Sequence, residues 1–100
     1  MDRVNVVFSF QGVDFEWDSR KAQLNLEKHG VSFEEAAEVF VDPFYQQGDA
    51  STRREVREFI LGYSSRQHLL LVVYVERAPS FRIISARPAT RQERKQYEEA

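Results

Sequence analysis

The sequence predicts an α+β fold, an antiparallel β-sheet meander with two N-terminal helices and a C-terminal helix. Three observations predict it. Asp18 and Ser32 are helix-start residues, each placed just ahead of a helical pattern in the first half of the chain. Three apolar, strand-like runs follow at residues 56–63, 68–77 and 81–87, joined by connections of hairpin length. After Pro88, Thr90 and Glu93 have the spacing of a capping box and open a closing helix. Helices set against a run of antiparallel strands make a layered α+β arrangement.

Taken in order, residues 4–10 alternate in part and read as a strand or an extended arm. Gln11-Gly12 is a turn, and residues 13–17 form a short strand. Asp18 then caps a helix over 19–29, and Gly30 stands where a left-handed C-terminal glycine belongs. Ser32 and Glu35 form an S-x-x-E box for a second helix over 33–41. Its apolar residues Phe33, Ala36, Ala37 and Phe40 fall at i, i+3, i+4 and i+7, and Asp42-Pro43 ends it. Residues 43–55 are polar and read as a loop around Gly48-Asp49. Residues 69–75 are continuously apolar, which predicts a central strand covered on both faces. The last helix spans 91–99.

One hundred residues, 42% of them hydrophobic, fill one modest core, so residues 1–100 are expected to form a single domain. Residues 1–14 are then an N-terminal extension or an extra strand. The chain has no cysteine, which excludes a disulfide framework and a thiolate metal site and suits a reducing compartment. Its start lacks the basic-then-apolar pattern of a signal peptide, and no run approaches the ~20 apolar residues of a membrane span. A soluble, cytoplasmic protein is expected, with no membrane partner.

The net charge of −2 hides an asymmetry. Residues 1–52 carry four basic side chains against ten acidic ones, whereas residues 53–95 carry nine arginines and Lys95 against four glutamates. Such a basic half points to an anionic partner, and arginine's planar fork suits phosphate. Solvated strand surfaces are the competing reading. No H-x-x-x-H metal spacing, phosphate-binding loop or dinucleotide fingerprint occurs. Ser64, Ser65 and His68 cluster without a G-x-S-x-G elbow, and a hairpin loop is a poor platform for a triad. Metal hydrolases, serine hydrolases and nucleotide-dependent enzymes are therefore disfavoured, and no cofactor is expected.

What remains is arginine with one well-placed histidine. RNA carries its own nucleophile in the 2′-hydroxyl, so its cleavage needs alignment, proton transfer and charge stabilisation, and no metal. His29 lies in the last turn of the first helix, where interaction with the helix dipole is reason enough for a histidine. The same place suits a proton donor. Lys21, Asn25 and His29 share one helix face, which is either a solvated stripe or part of a site. Simple alternation puts Arg57 with Phe59 and Leu61, and Arg87 with Phe81 and Ile83. Arginines beside apolar strand positions need a partner or a strand end, and salt bridges to Glu55, Glu58 or Glu76 account for them as well as RNA does. Tyr97 reads first as a core or partner contact.

Five segments resemble the BrnT family: Phe15-Glu16-Trp17-Asp18 with Lys21 and Asn25; Lys28-His29-Gly30-Val31-Ser32-Phe33-Glu34-Glu35-Ala36; Glu55 and Arg57 before Gly62 and Ser64; residues 70–77; and Arg82-Ile83-Ile84-Ser85-Ala86-Arg87 continuing through Thr90, Arg91, Glu93, Arg94 and Tyr97. The resemblance runs from about Phe15 to Tyr97. It departs at Ser19, where the family usually has proline, and residues 1–14 precede many members' start. It implies a RelE-like ribonuclease toxin of a type II toxin–antitoxin system, acting by RNA cleavage and translation arrest. It also implies a BrnA-like antitoxin with a ribbon-helix-helix domain, through which alone operator DNA would be reached. With the residue chemistry, it nominates Lys21, His29, Arg57 and Arg87 as a metal-independent catalytic group, converging where the first helix meets the strand ends. Arg77, Arg82 and Tyr97 are nominated as RNA contacts. The alternative is a non-catalytic subunit that keeps the fold and engages the antitoxin. Direct DNA binding is disfavoured, since no groove-reading motif is recognisable.

Overall fold

The computed structural model describes residues 4–100. Strands β1 (Asn5–Phe10) and β2 (Val13–Asp18) form a hairpin whose turn residues, Gln11 and Gly12, both take positive φ (50° and 82°). Such a two-residue turn matches the twist of its strands. Asp18 accepts from the N–H groups of Arg20 and Lys21 and so starts α1 (Ser19–His29). Gly30, at φ 71°, closes that helix by donating to Leu26. Ser32 caps α2 (Phe33–Glu38) through the Glu35 N–H. The expected helix over 33–41 ends there, and residues Val39–Val41 tighten into a 3-10 turn. The box is also half-made: the Glu35 side chain turns away to other partners.

Strand β3 (Gln46–Asp49) corrects the expectation of a loop over 43–55. It pairs with β4 (Glu58–Tyr63), followed by β5 (Leu69–Arg77), β6 (Ser80–Pro88) and α3 (Arg91–Glu98). Thr90 and Glu93 complete the box that opens α3. The sheet has six strands in the order β1-β2-β6-β5-β4-β3. The antiparallel meander is its β4–β6 part, but the sheet as a whole is mixed, because β2 runs parallel to β6 through Phe15↔Phe81 and Glu16↔Arg82. Parallel neighbours need a long crossover, and here the chain between them contains α1, α2 and three further strands.

The core lies between α2 and one sheet face. Phe33, Ala36 and Ala37 from α2 meet Phe15, Val72 and Ile83, all of them buried. Burying a side chain the size of Phe33 stabilises the fold by roughly 1.5–3 kcal/mol. The opposite face is only partly covered, contrary to the expectation for residues 69–75. Leu71, Val73 and Val75 are half-buried there. Helix α3 crosses one end of this face, tied to β6 by Arg87–Glu93, to β4 by ring contact between Tyr97 and Tyr63, and to β3 by Gln96–Gln46. Among the described residues, no helix is long and apolar enough to cross a membrane.

A bulge decides where one candidate residue points. Tyr74 pairs with Ile83 and Val73 with Ser85, which leaves Ile84 as an extra residue on β6. Ile83 and Ala86 therefore both face the core, and Arg87 emerges on the other side. Simple alternation, which put Arg87 with Phe81 and Ile83, fails by that one residue.

Candidate functional site

The half-covered face collects the arginines. Val75 pairs with Arg82, and Leu71 with Arg87, so both arginines share the face of Leu71, Val73 and Val75. Arg77 follows Val75 by two residues and Arg57 precedes Phe59 by two, which puts them on the same face. Each is held by a carboxylate. Arg57 Nε lies 2.7 Å from Glu55, whose other oxygen is 3.8 Å from Arg77. Arg82 contacts Glu16 at 3.1 Å and Asn5 at 2.8 Å. Arg87 grips Glu93 with both terminal nitrogens, at 2.7 and 2.9 Å.

The electrostatics follow these contacts. The hydrogen bond from Arg57 holds the Glu55 carboxyl below its usual range against partial desolvation, and the charges of Arg57, Arg77 and Lys21 add to it. Lys21, exposed on α1, therefore stands within electrostatic reach of the Glu55–Arg57–Arg77 group. Glu93 is likewise held low by its bond from Arg87.

Helix α1 is fixed beside the sheet by Asn25, which is buried. Its amide donates to the Ala86 carbonyl at 2.8 Å and accepts from the Ala86 N–H at 3.1 Å, taking the place of a strand partner on the β6 edge. A third bond, to the Val31 carbonyl, fixes the loop that follows the helix. Asn25 thus belongs to the scaffold, and the polar stripe expected from Lys21 to His29 is interrupted by it. Along the helix–strand seam runs a groove of about 230 Å3 lined by Lys21, Lys28, His29 and Ser85. His29 also lines a cavity of about 240 Å3 with Glu35, His68, Pro88 and Arg94.

Of the candidate residues, Lys21 and His29 line this groove. The charge of Lys21 is felt at Glu55, the partner of Arg57 and Arg77, while His29 lies eight residues further along α1, about 12 Å at the helical rise. Arg87, next to Pro88, is at the His29 end of β6. Tyr97 stands apart. Its hydroxyl donates to Asp42 at 2.6 Å and its ring packs on Tyr63 at 5.3 Å. Burial and the Asp42 bond push the Tyr97 hydroxyl well above the usual tyrosine range.

Sequence reasoning weighed Glu55 as a partner but missed Glu93 and Glu35. Both were read as capping residues, and Glu93 performs both tasks. Glu35 accepts from Ser64 Oγ and pairs with His68 Nδ1, each at 2.7 Å. The cluster at Ser64 and His68 was visible in the sequence; the helix residue that organises it was not.

The family model described as ribonuclease toxin, BrnT, of type II toxin-antitoxin system matches residues 17–93. This chain belongs to the BrnT family. The match takes in six of the seven nominated side chains; Tyr97 lies outside it. A comparison with curated proteins gives no match. As a BrnT protein the chain is the ribonuclease toxin of a type II system, with RNA as its substrate class and an antitoxin as its partner.

Proposed function

We propose that this BrnT protein has a RelE-like fold and cleaves RNA without a metal ion, arresting translation. A BrnA-like antitoxin with a ribbon-helix-helix domain neutralises it. The observation that carries this reading is that Arg57, Arg77, Arg82 and Arg87 share one partly open sheet face, and that a groove beside α1 runs from Lys21 to His29. Cations and an imidazole are the groups that metal-free RNA cleavage needs. Among the described residues no cluster of three or more histidines, aspartates or glutamates gathers to hold a metal.

The 2′-oxygen attacks the phosphorus, the bond to the 5′-oxygen breaks, and a 2′,3′-cyclic phosphate and a 5′-hydroxyl result. His29 transfers a proton in this step. Arg57 and Arg87 exchange part of their hold on Glu55 and Glu93 for the scissile and adjacent phosphates, using bidentate contacts. Lys21 adds charge to the developing oxyanion. Arg77 and Arg82 contact flanking phosphates. We assign Tyr97 to seating α3 through Asp42, on the evidence of its short bond.

One observation favours a second reading, that of a binding subunit. Each of the four arginines already holds a carboxylate, as it would on an acidic antitoxin segment. Expression without antitoxin separates the two. Induction of the wild type is expected to stop growth with RNA decay. His29→Ala and Arg57→Ala are expected to relieve both while the folded protein still binds antitoxin. Toxicity unaltered by either substitution, or absent from the wild type, contradicts the proposed catalysis.

A further inference from the structure

Among the described residues, His68 is the one histidine whose ring is gripped by a carboxylate. Its Nδ1 lies 2.7 Å from Glu35 Oε2, and the same oxygen accepts the Ser64 hydroxyl at 2.7 Å. The Glu35 side chain is 10% exposed and Ser64 is buried, whereas the His68 side chain is 59% exposed. A nearly buried carboxylate is costly unless it is paired and hydrogen-bonded. Among the described residues the basic partner of Glu35 is this imidazole, with no lysine or arginine in its place. A carboxylate at Nδ1 places the proton of the neutral ring there and leaves the Nε2 lone pair free. Nε2 lies on the far side of the ring from Glu35, and His68 lines the same cavity of about 240 Å3 as His29 and Arg94.

We propose that His68 is the second proton-transfer residue of the ribonuclease site, acting across this cavity from His29. The inference rests on the ribonuclease reading above and adds to it a division of labour. His68 Nε2 takes the proton from the 2′-hydroxyl as the 2′-oxygen bonds to phosphorus. The bond from phosphorus to the 5′-oxygen breaks, and the His29 imidazolium delivers its proton to that leaving oxygen. No oxidant, reductant or metal enters the balance. The two rings finish with exchanged protonation states and re-equilibrate through water. Arg94, exposed on α3 and bonded to the Tyr63 hydroxyl at 3.2 Å, supplies charge for the non-bridging oxygens. Glu35 is a positioning residue, since it touches His68 and not the substrate. The charged and titratable groups that face His68 are Glu35 from α2, His29 from α1 and Arg94 from α3.

A structural role alone would have Glu35 and His68 pin the β4–β5 connection to α2. The test separates the two by kinetics. His68→Asn keeps a donor near the Nδ1 position for Glu35 and removes the base. It is expected to lower kcat on a short RNA by about 100- to 10,000-fold, with KM little changed. The acidic limb of the bell-shaped wild-type pH profile should disappear with it. Glu35→Ala is expected to lower kcat with KM little changed, because the ring loses the acceptor that orients its Nδ1 proton, and Glu35→Gln, which keeps a carbonyl acceptor, should restore part of it. Free imidazole should restore part of the activity of His68→Gly. In the wild type, inorganic phosphate should shift the ring-proton resonances of His29 and His68 together. A folded His68→Asn with wild-type kcat and pH profile overturns the inference while leaving the ribonuclease reading intact. So does a phosphate titration that moves neither ring. A wild type that cleaves no RNA overturns both.

Discussion

The two faces of the sheet differ in what covers them and in what their side chains are for. Toward α2, the alternate β5 residues Leu70, Val72 and Tyr74 are buried in a continuous apolar layer. On the other face their neighbours Leu71, Val73 and Val75 are half-covered and stand among Arg57, Arg82 and Arg87. The same strand thus serves stability on one side and presents charge on the other. Substitutions should divide accordingly: those facing α2 change folding, and those among the arginines change RNA handling.

The largest effect is expected on the closed face. Phe33→Ala should cost about 3–5 kcal/mol in a denaturant titration, because it leaves a cavity that α2 cannot readily fill. The activity of the molecules that remain folded should be nearly unchanged. A loss of activity per folded molecule as large as the loss of stability would break the comparison.

An intermediate effect belongs to the end of the open face that α3 covers. Burial works against the charge of Asp42, but bonds from the Tyr97 hydroxyl and the Tyr63 and Phe44 N–H groups outweigh it and hold the carboxyl low. A carboxylate held low in the folded protein stabilises it above the ordinary carboxylate range, and that contribution disappears as pH falls through the folded value. Asp42→Asn should therefore cost about 1–2 kcal/mol at pH 7 and progressively less on acidification toward pH 3. A stability difference that stays constant over this range would contradict the role given to the carboxylate.

The smallest effect sharpens the electrostatic half of the comparison. RNA affinity measured against salt should fall with a slope near −0.7 per phosphate contacted, and Arg82→Ala should reduce that slope by about one contact. Val72→Ala, on the closed face, should leave the slope unchanged. Equal slopes for wild type and Arg82→Ala would remove Arg82 from the interface.

Much of the fold was legible because its signals are local. Asp18, Gly30 and Thr90 act within a turn of themselves, and each is where its cap was expected. Strand β3 was not legible: Gln-Gln-Gly-Asp has no apolar alternation, and it is an edge strand whose one strand partner is β4. Gly48 there leaves room for the Phe59 ring of the neighbouring strand, a contact no local pattern shows. The parallel pairing of β2 with β6 joins residues 66 positions apart, beyond the reach of any periodicity. For the site, the chemistry of the arginines and His29 could be read, and alternation put Arg57 with Phe59, but the facing of Arg87 could not be read. The single extra residue at Ile84 turns Arg87 to the opposite side of the sheet. Glu35 carries a complete capping signature, so its tertiary bonds to Ser64 and His68 were hidden behind a sufficient local explanation.

The most direct test is cleavage of RNA by the purified protein in excess EDTA, with the new ends identified. The account predicts that cleavage persists, leaves a 2′,3′-cyclic phosphate or its opened product opposite a 5′-hydroxyl, and is lost in His29→Ala. Cleavage that stops on chelation, or that leaves a 5′-phosphate, would contradict it.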